Sequence, residues 1–477
     1  MANLPDDVFF ATIGELTAKL RAREFSAVEL TRAYCDRLEQ IGPRYNALAL
    51  GLRTQALRKA KDADFELKLQ RHRPLQGIPF GVKDLLAYAK HPTTWGAKPY
   101  AGQVFNETAT VITKLEKAGG ILIGKLAMVE LAGGGGYRYP AASLTGPGLN
   151  PWDKTRWSGG SSSGSGIATA AGLVAFALGS ETSGSILTPS AFCGVTGLRP
   201  TYGLVSRHGA MALSWTLDKI GPMCRSAEDC ALVLQVIAGA DPEDPGSADK
   251  NFHYVPEYAR KPAEMTVGYA PVDFEEYAEP AARAGFNAAL EVIKGTGVHL
   301  KEIEIPDFPY GPTLSTILNG EMGSIFETLI KSGKVDELAD KRQIAGMKAS
   351  LELPAVEYLR AMRIRSLIQE KFRELFIDID LLLTPSRMGP ASKVTERLDG
   401  GAALDAPRPK SRGLSTLIPA GNLCGLPAIS LPCGFADQMP IAISLVGRPY
   451  YENELIGLGS VFQKQTDWHR KRPPVGS

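Results

Sequence analysis

The stretch "TRWSGGSSSGSG", Thr155 to Gly166, packs five serines and four glycines into twelve residues. It runs straight into the apolar "IATAAGLVAFALG" and then a second serine-rich patch, "SETSGSILTPS". A Ser/Gly linker would continue into flexible polar sequence, so that reading fails. Two such patches around an apolar segment constrain the fold, because small polar side chains must return to one buried place. The apolar run Ile167–Gly179 is too short to span a bilayer and is expected as a buried helix.

The remainder of the chain has an alternating rhythm. Ser26-Ala-Val-Glu29 is a capping box that opens a helix running to Gln40, stopped by Gly42-Pro43. "QGIPFGVKDLLA" reads as a strand carrying Lys83, and "GGILIGKLAM" as a second buried strand. Ser226 caps another helix, which ends at Gly239. Residues from about Leu314 to Leu375 are helical and amphipathic, "IDLLLTP" is a strand, and Arg387–Gly413 is a long polar loop. "LPAISLPCGF" and "IAISLVGR" close the chain as strands. This is an α/β pattern, a central mixed β-sheet covered by helices on both faces. A length of 477 residues suits one large domain or two tightly joined ones. Helices within residues 1–60 are expected to pack on a core domain over 61–477.

Composition excludes several functions. A net charge of +2 gives no basic surplus for nucleic acid or an anionic membrane. "MANLPDDVFF" lacks the charged and apolar regions of a secretory signal. The six cysteines show no CxxC spacing, and reduced thiols in a cytoplasmic protein fit them best. Gly119–Lys125 matches the glycine–lysine spacing of a phosphate loop, but Leu126 replaces its magnesium-binding hydroxyl. The tail "HRKRPPVGS" reads as a solvated end.

Two catalytic readings compete for the serines. Gly160-Ser-Ser162-Ser-Gly164 matches a nucleophile elbow, yet "NPWDKTRW" before it is not the buried strand an elbow follows. The other reading joins both patches. Ser161 and Ser185 lie 24 residues apart, and no histidine is near either in sequence. Lys83, in an apolar strand, can serve as the base. Desolvation disfavours an ammonium, lowers its pKa from about 10.4 toward neutrality, and leaves an amine able to take a proton through an intervening serine. In isolation, Lys83 reads more readily as a snorkelling strand-end lysine than as a base, and the serines read as turn residues.

"GIPFGVKD", "SGGSSSGSG", "ETSGSILTPSAFCGVTGLRPTYG" and "GNLCGLPAISLPCG" resemble, in order and spacing, the amidase signature family. The resemblance implies a Ser–cis-Ser–Lys triad of Ser185, Ser161 and Lys83, with a cis Gly160–Ser161 peptide. It implies an oxyanion hole from the backbone N–H groups of Thr182, Ser183, Gly184 and Ser185. It implies no metal and no organic cofactor. Four positions depart from the family's pattern: Glu181 stands for Asp, Ser183 for Gly, Leu187 for Arg and Ser163 for Gly. Tyr137 and Gly136, in the loop from Gly133, are candidate substrate contacts, as is Leu187; a tight turn beside a packed aromatic is the plainer reading of that loop.

The expected activity is hydrolysis of C–N bonds in neutral aryl or alkyl amides, with carbamates and esters as further substrates. It is similar to that of stand-alone aryl acylamidases and urethanases. An apolar pocket with few fixed charges, roofed by the helical segment, is the basis of that expectation. The expected partner is a small-molecule amide or carbamate, with a homodimer as the assembly considered. One alternative is the glutaminase (A) subunit of a tRNA-dependent amidotransferase, although a "YDGVRYG"-like stretch is missing. Another is a non-catalytic amidase-fold binding protein.

Overall fold

The computed structural model describes residues 4–398 and 417–475. Its strands form one mixed sheet: β1 (Leu48–Gly51), β2 (Pro79–Lys83), β3 (Ile121–Leu126), β4 (Phe176–Glu181), β5 (Thr196–Arg199), β6 (Lys219–Cys224), β7 (Thr266–Tyr269), β8 (His299–Glu302), β9 (Leu381–Pro385), β10 (Ala428–Ala436) and β11 (Met439–Gly447). Their spatial order is β1-β3-β2-β4-β6-β5-β10-β11-β9-β7-β8. β2 runs parallel to β3 and β4, whereas β4 is antiparallel to β6 and β10 to both β5 and β11. Helices flank this sheet, giving the α/β class the sequence predicts.

β2, β3, β9 and β11 are buried along their whole length. Strands covered on both faces need no polar side, which is why they read as continuous apolar runs. Phe80 of β2 stacks on Phe176 of β4 at 5.3 Å.

The helices Ile13–Ala22 and Ala27–Ile41 both open with complete capping boxes, Thr12 with Glu15 and Ser26 with Glu29. They bury Leu16, Leu20, Leu30 and Leu38 in the main core. The first 60 residues also contribute β1, which pairs antiparallel with β3, so this segment extends the sheet as well as covering it.

The apolar run between the serine patches is not the single helix expected. A helix covers Ser163–Ala170, the chain turns at Gly172 (φ +64°), and the second half becomes β4. A buried apolar run has no periodicity to separate helix from strand, and pairing with β2 and β6 decides the outcome. The second patch therefore follows a buried strand and precedes the helix Leu187–Cys193. Of the polar loop 387–413, residues 399–413 lie outside the described residues. The described part is laced to the first patch: Trp157 N–H donates to Ser392 O at 2.8 Å and Val394 N–H to Thr155 O at 2.9 Å. Among the described residues no helix is long and apolar enough to cross a membrane.

Gly164 shows how tightly the first patch is held. A Cβ at this position would lie 2.5 Å from both Ala127 N and Ala47 O, which are backbone atoms that cannot swing aside. Gly164→Ala should therefore destabilise the protein by about 1–3 kcal/mol through overpacking. Chemical denaturation would register this as a lower midpoint at unchanged slope.

Candidate active site

Lys83 ends β2, and its side chain is fully buried. Its Nζ donates to Ser161 Oγ at 2.7 Å, to Ser180 Oγ at 2.9 Å and to Ser180 O at 3.4 Å. Burial lowers its pKa to about 7, with Asp218 and Glu181 pulling the other way. An amine in that range is poised to gain or lose a proton near neutrality.

The Gly160–Ser161 peptide is cis. Glycine is required before Ser161, since a Cβ on Gly160 would meet Val129 Cγ2 at 2.8 Å and Trp157 Cζ2 at 3.0 Å. The elbow serine has other work. Ser162 is buried, its Oγ donates to Ser180 O at 3.1 Å and accepts from Ser180 N–H at 3.2 Å. That hydroxyl fixes the patch to β4. Ser163, in place of the family's Gly, lies in the first turn of the helix, with its Oγ 3.4 Å from Ala127 O.

Ser185 sits in the turn between β4 and the helix Leu187–Cys193, and its carbonyl accepts from Ser162 N–H at 3.3 Å. Both patches thus meet at one point. The Ser185 hydroxyl makes no hydrogen bond among the described residues, so the Ser161–Ser185 link of a relay is not closed here. Catalytic hydrogen bonds are often long before substrate arrives. Gly184 adopts φ +80°, a left-handed conformation that suits glycine. Among the described residues the backbone N–H groups of Thr182, Ser183, Gly184 and Ser185 have no acceptor, whereas those of Ile186 and Leu187 both donate to Glu181 Oε2, at 2.9 and 3.0 Å. Successive N–H groups of this kind beside a serine can hold an oxyanion.

Glu181, Arg199 and Asn422 form a buried cluster that sequence reading misses. Glu181 Oε1 accepts from Arg199 Nη1 at 2.9 Å and from Asn422 Nδ2 at 3.0 Å. Burial works against its charge, but Arg199, Asn422 and Lys219 hold the carboxyl down at about 2. Thr182 Oγ1 donates to Asp218 Oδ1 at 2.6 Å, while Asp218 Oδ2 accepts from the Leu213 and Ser214 amides at 2.8 and 2.9 Å. Ser180, the second partner of Lys83, also escapes sequence reading. Its one signal there is its place at the end of a buried strand.

Tyr137 packs edge-on to Trp157 at 6.2 Å, and its hydroxyl lies 3.2 Å from where a Gly160 Cβ would stand. It therefore flanks the cis peptide. Its loop is clamped to the helical segment: Arg138 and Tyr139 N–H donate to Asp340 Oδ2 at 2.7 and 3.2 Å, and Gln343 Nε2 donates to Glu130 O at 3.0 Å. Gly136 is exposed (φ +75°), with open space around it. Leu187 is buried in an apolar cluster with Leu217, Leu314, Ile317 and Leu417. It packs the helical segment behind the serine turn.

Comparison with known proteins agrees with this architecture. The amidase family model matches residues 29–456. The A subunit of the glutamyl-tRNA(Gln) amidotransferase of Carboxydothermus hydrogenoformans is 33% identical, covering 98% of this chain and all of the relative. The crystal structure of peptide amidase from Stenotrophomonas maltophilia superposes with a TM-score of 0.83 at 27% identity, covering 98% of this chain and 99% of that one. A bacterial aryl acylamidase of the amidase signature family has a TM-score of 0.84 at 19% identity, over 98% and 100% of the two chains, a likeness of fold alone. With a buried Lys–Ser pair meeting a second serine beneath unclaimed backbone amides, and a family model matched across most of its length, the chain belongs to the amidase family of carbon–nitrogen hydrolases.

Proposed function

We propose that this enzyme hydrolyses the C–N bond of a small amide through an acyl-enzyme on Ser185. The contact that carries the reading is the 2.7 Å hydrogen bond from buried Lys83 Nζ to Ser161 Oγ, at the point where both serine patches meet. Neutral Lys83 takes the Ser161 proton as Ser161 takes the Ser185 proton. Ser185 Oγ then attacks the carbonyl carbon, and the oxyanion settles on the amides of Ser183, Gly184 and Ser185. The proton returns through Ser161 to the leaving nitrogen, the C–N bond breaks, and an ester to Ser185 remains. Water, deprotonated by the same relay, releases the acid. Thr182 supports this from the side, anchoring the strand end to Asp218.

A second reading, the glutaminase component of an amidotransferase, is favoured by identity. The curated relative with that name shares 33% of residues, against 19% for the aryl acylamidase. These figures support a glutamine-like amide more than the neutral aryl amides expected from sequence. The isolated chain, given anilides, aliphatic amides, carbamates and glutamine, separates the readings. Turnover of a simple amide without any partner protein is expected, and glutaminase activity with no other turnover would move the chain to the amidotransferase reading.

The proposed roles fix the mutant pattern. Ser185→Ala should abolish turnover, by about 10⁴-fold or more. Lys83→Ala should cost roughly 10²–10⁴-fold, the range of general acid–base catalysis, and Ser161→Ala a comparable amount. Ser162→Ala should spare the chemistry, with labelling by a fluorophosphonate unchanged at Ser185. Loss of labelling in Ser162→Ala, with a fully active Ser185→Ala, would place the nucleophile at the elbow instead.

The same roles fix the pH profile. Lys83 must be neutral to accept a proton, and its pKa is lowered to about 7. Below that pH it is protonated and idle, so kcat/KM should climb through about pH 7 and level off above it. Steady-state rates that peak in acid and fall toward pH 8 would contradict a lysine base.

A further inference from the structure

Arg387 follows β9, and solvent reaches its side chain. Its backbone place is rigid. The adjacent Ser386 hydroxyl is buried between Ser430 and Ser444 of β10 and β11, at 3.0 and 2.8 Å. Further along, Arg156 Nη1 donates to Ala391 O at 2.7 Å, tying this segment to the first serine patch. The guanidinium stands 5.9 Å from the Phe192 ring, which packs on Trp157 at 6.2 Å, which in turn packs on Tyr137 beside the Gly160–Ser161 peptide. A run of packed rings, Phe192 and Trp157 buried and Tyr137 half-buried, therefore connects Arg387 to the Gly160–Ser161 peptide.

Other arginines of the chain are committed. Arg156, Arg199, Arg225 and Arg365 donate to protein oxygens and have evident structural roles. Arg387 has no hydrogen-bond acceptor and no carboxylate partner among the described residues. The surrounding protein lowers its pKa, and among the described residues Tyr137 opposes that shift. An accessible guanidinium with no protein acceptor, carried on an anchored backbone beside the cis peptide's aromatic neighbours, can act as a carboxylate receptor, since its planar fork matches two carboxylate oxygens at once.

We propose that Arg387 selects the substrate by pairing with a carboxylate that the scissile amide's own molecule carries, so the enzyme acts on anionic amides. This rests on the amidase reading of Ser185, and it replaces the neutral pocket expected from sequence. A carboxylate on the acyl side and one on the leaving side share this chemistry, and matched probes tell them apart.

The test measures kcat/KM for glutaric acid mono-p-nitroanilide against pentanoyl p-nitroanilide, and for N-acetyl-4-aminobenzoate against acetanilide. The same compounds are also read as competitive protectors of Ser185 against a neutral fluorophosphonate, so an unhydrolysed pair still reports. Wild type should favour one carboxylate-bearing member roughly 10- to 100-fold, the span of a charge-assisted hydrogen bond. Arg387→Gln should collapse that ratio toward unity, and Arg387→Lys should restore part of it. Equal ratios in wild type and Arg387→Gln, with Ser185 still labelled, would overturn the role of Arg387 and leave the amidase reading standing. Absence of Ser185 labelling in the wild type would overturn both.

Discussion

The carboxylate of Glu181 is the point on which the site's geometry depends. It is wholly buried, yet it stays ionised because its oxygens face a full set of donors: Arg199, Asn422 and the amides of Ile186 and Leu187. Those partners come from β5, from the helix Leu417–Cys424 and from the start of the helix after Ser185. One side chain thus fixes the serine turn against three elements. By capping that helix start, it also draws off the amides of Ile186 and Leu187, while those before them have no acceptor among the described residues. A buried pair of this kind is weak evidence for stability, but breaking it strands a charge at about 3–5 kcal/mol. Holding a turn in one conformation is what such a cluster does well. Leu187, where the resembling family carries Arg, leaves no positive side chain at that place on the helix.

The same cluster explains why Lys83 can be a base. Asp218 and Glu181 both favour its protonated form, yet burial wins and the pKa falls to about 7. The carboxylates lose this contest because neither contacts the amine, and each is held by other partners. Glu181 faces Arg199, and Asp218 accepts from Thr182 and from the Leu213 and Ser214 amides. The direct partners of the amine are neutral serine oxygens, which accept from the ammonium but add no full charge to stabilise it. Contrast Lys125, equally buried in β3, whose amine lies 2.8 Å from Asp84. The two lysines occupy adjacent strands, and the one without a contacting carboxylate faces the serines.

Much of this is legible in the sequence because it is local. Capping boxes, β2 and β3, the closing strands and the helical segment all follow from patterns within a few residues. Ser161, Ser185 and Lys83 stand out because serine patches and a lysine in an apolar strand are anomalies against those patterns. What escapes is long-range. Ile167–Gly179 carries no period, and its pairing with β2 and β6 is what makes its second half a strand. Glu181 meets Asn422 across 241 residues, and no spacing rule reaches that far. Arg387 is hidden differently, because an arginine in a polar loop is ordinary. The anchoring of Ser386 and the packing of residues 391–394 against 155–157 bring it to the site.

The place of Arg387 changes the electrostatics expected of the substrate. The neutral pocket expected from sequence rests on Leu187 and on the apolar face of the helical segment. Both prove to pack on each other, with Leu314 and Ile317, behind the serine turn. On the side of the cis peptide stand the half-buried Tyr137 and the buried Trp157 and Phe192, with the Arg387 guanidinium 5.9 Å from the Phe192 ring. Aromatic rings are indifferent to the sign of a ligand's charge, but an accessible guanidinium without a protein acceptor is not. A neutral amide leaves it without a counter-ion, and an anionic one supplies it. The balance of charge therefore favours a substrate that brings its own carboxylate.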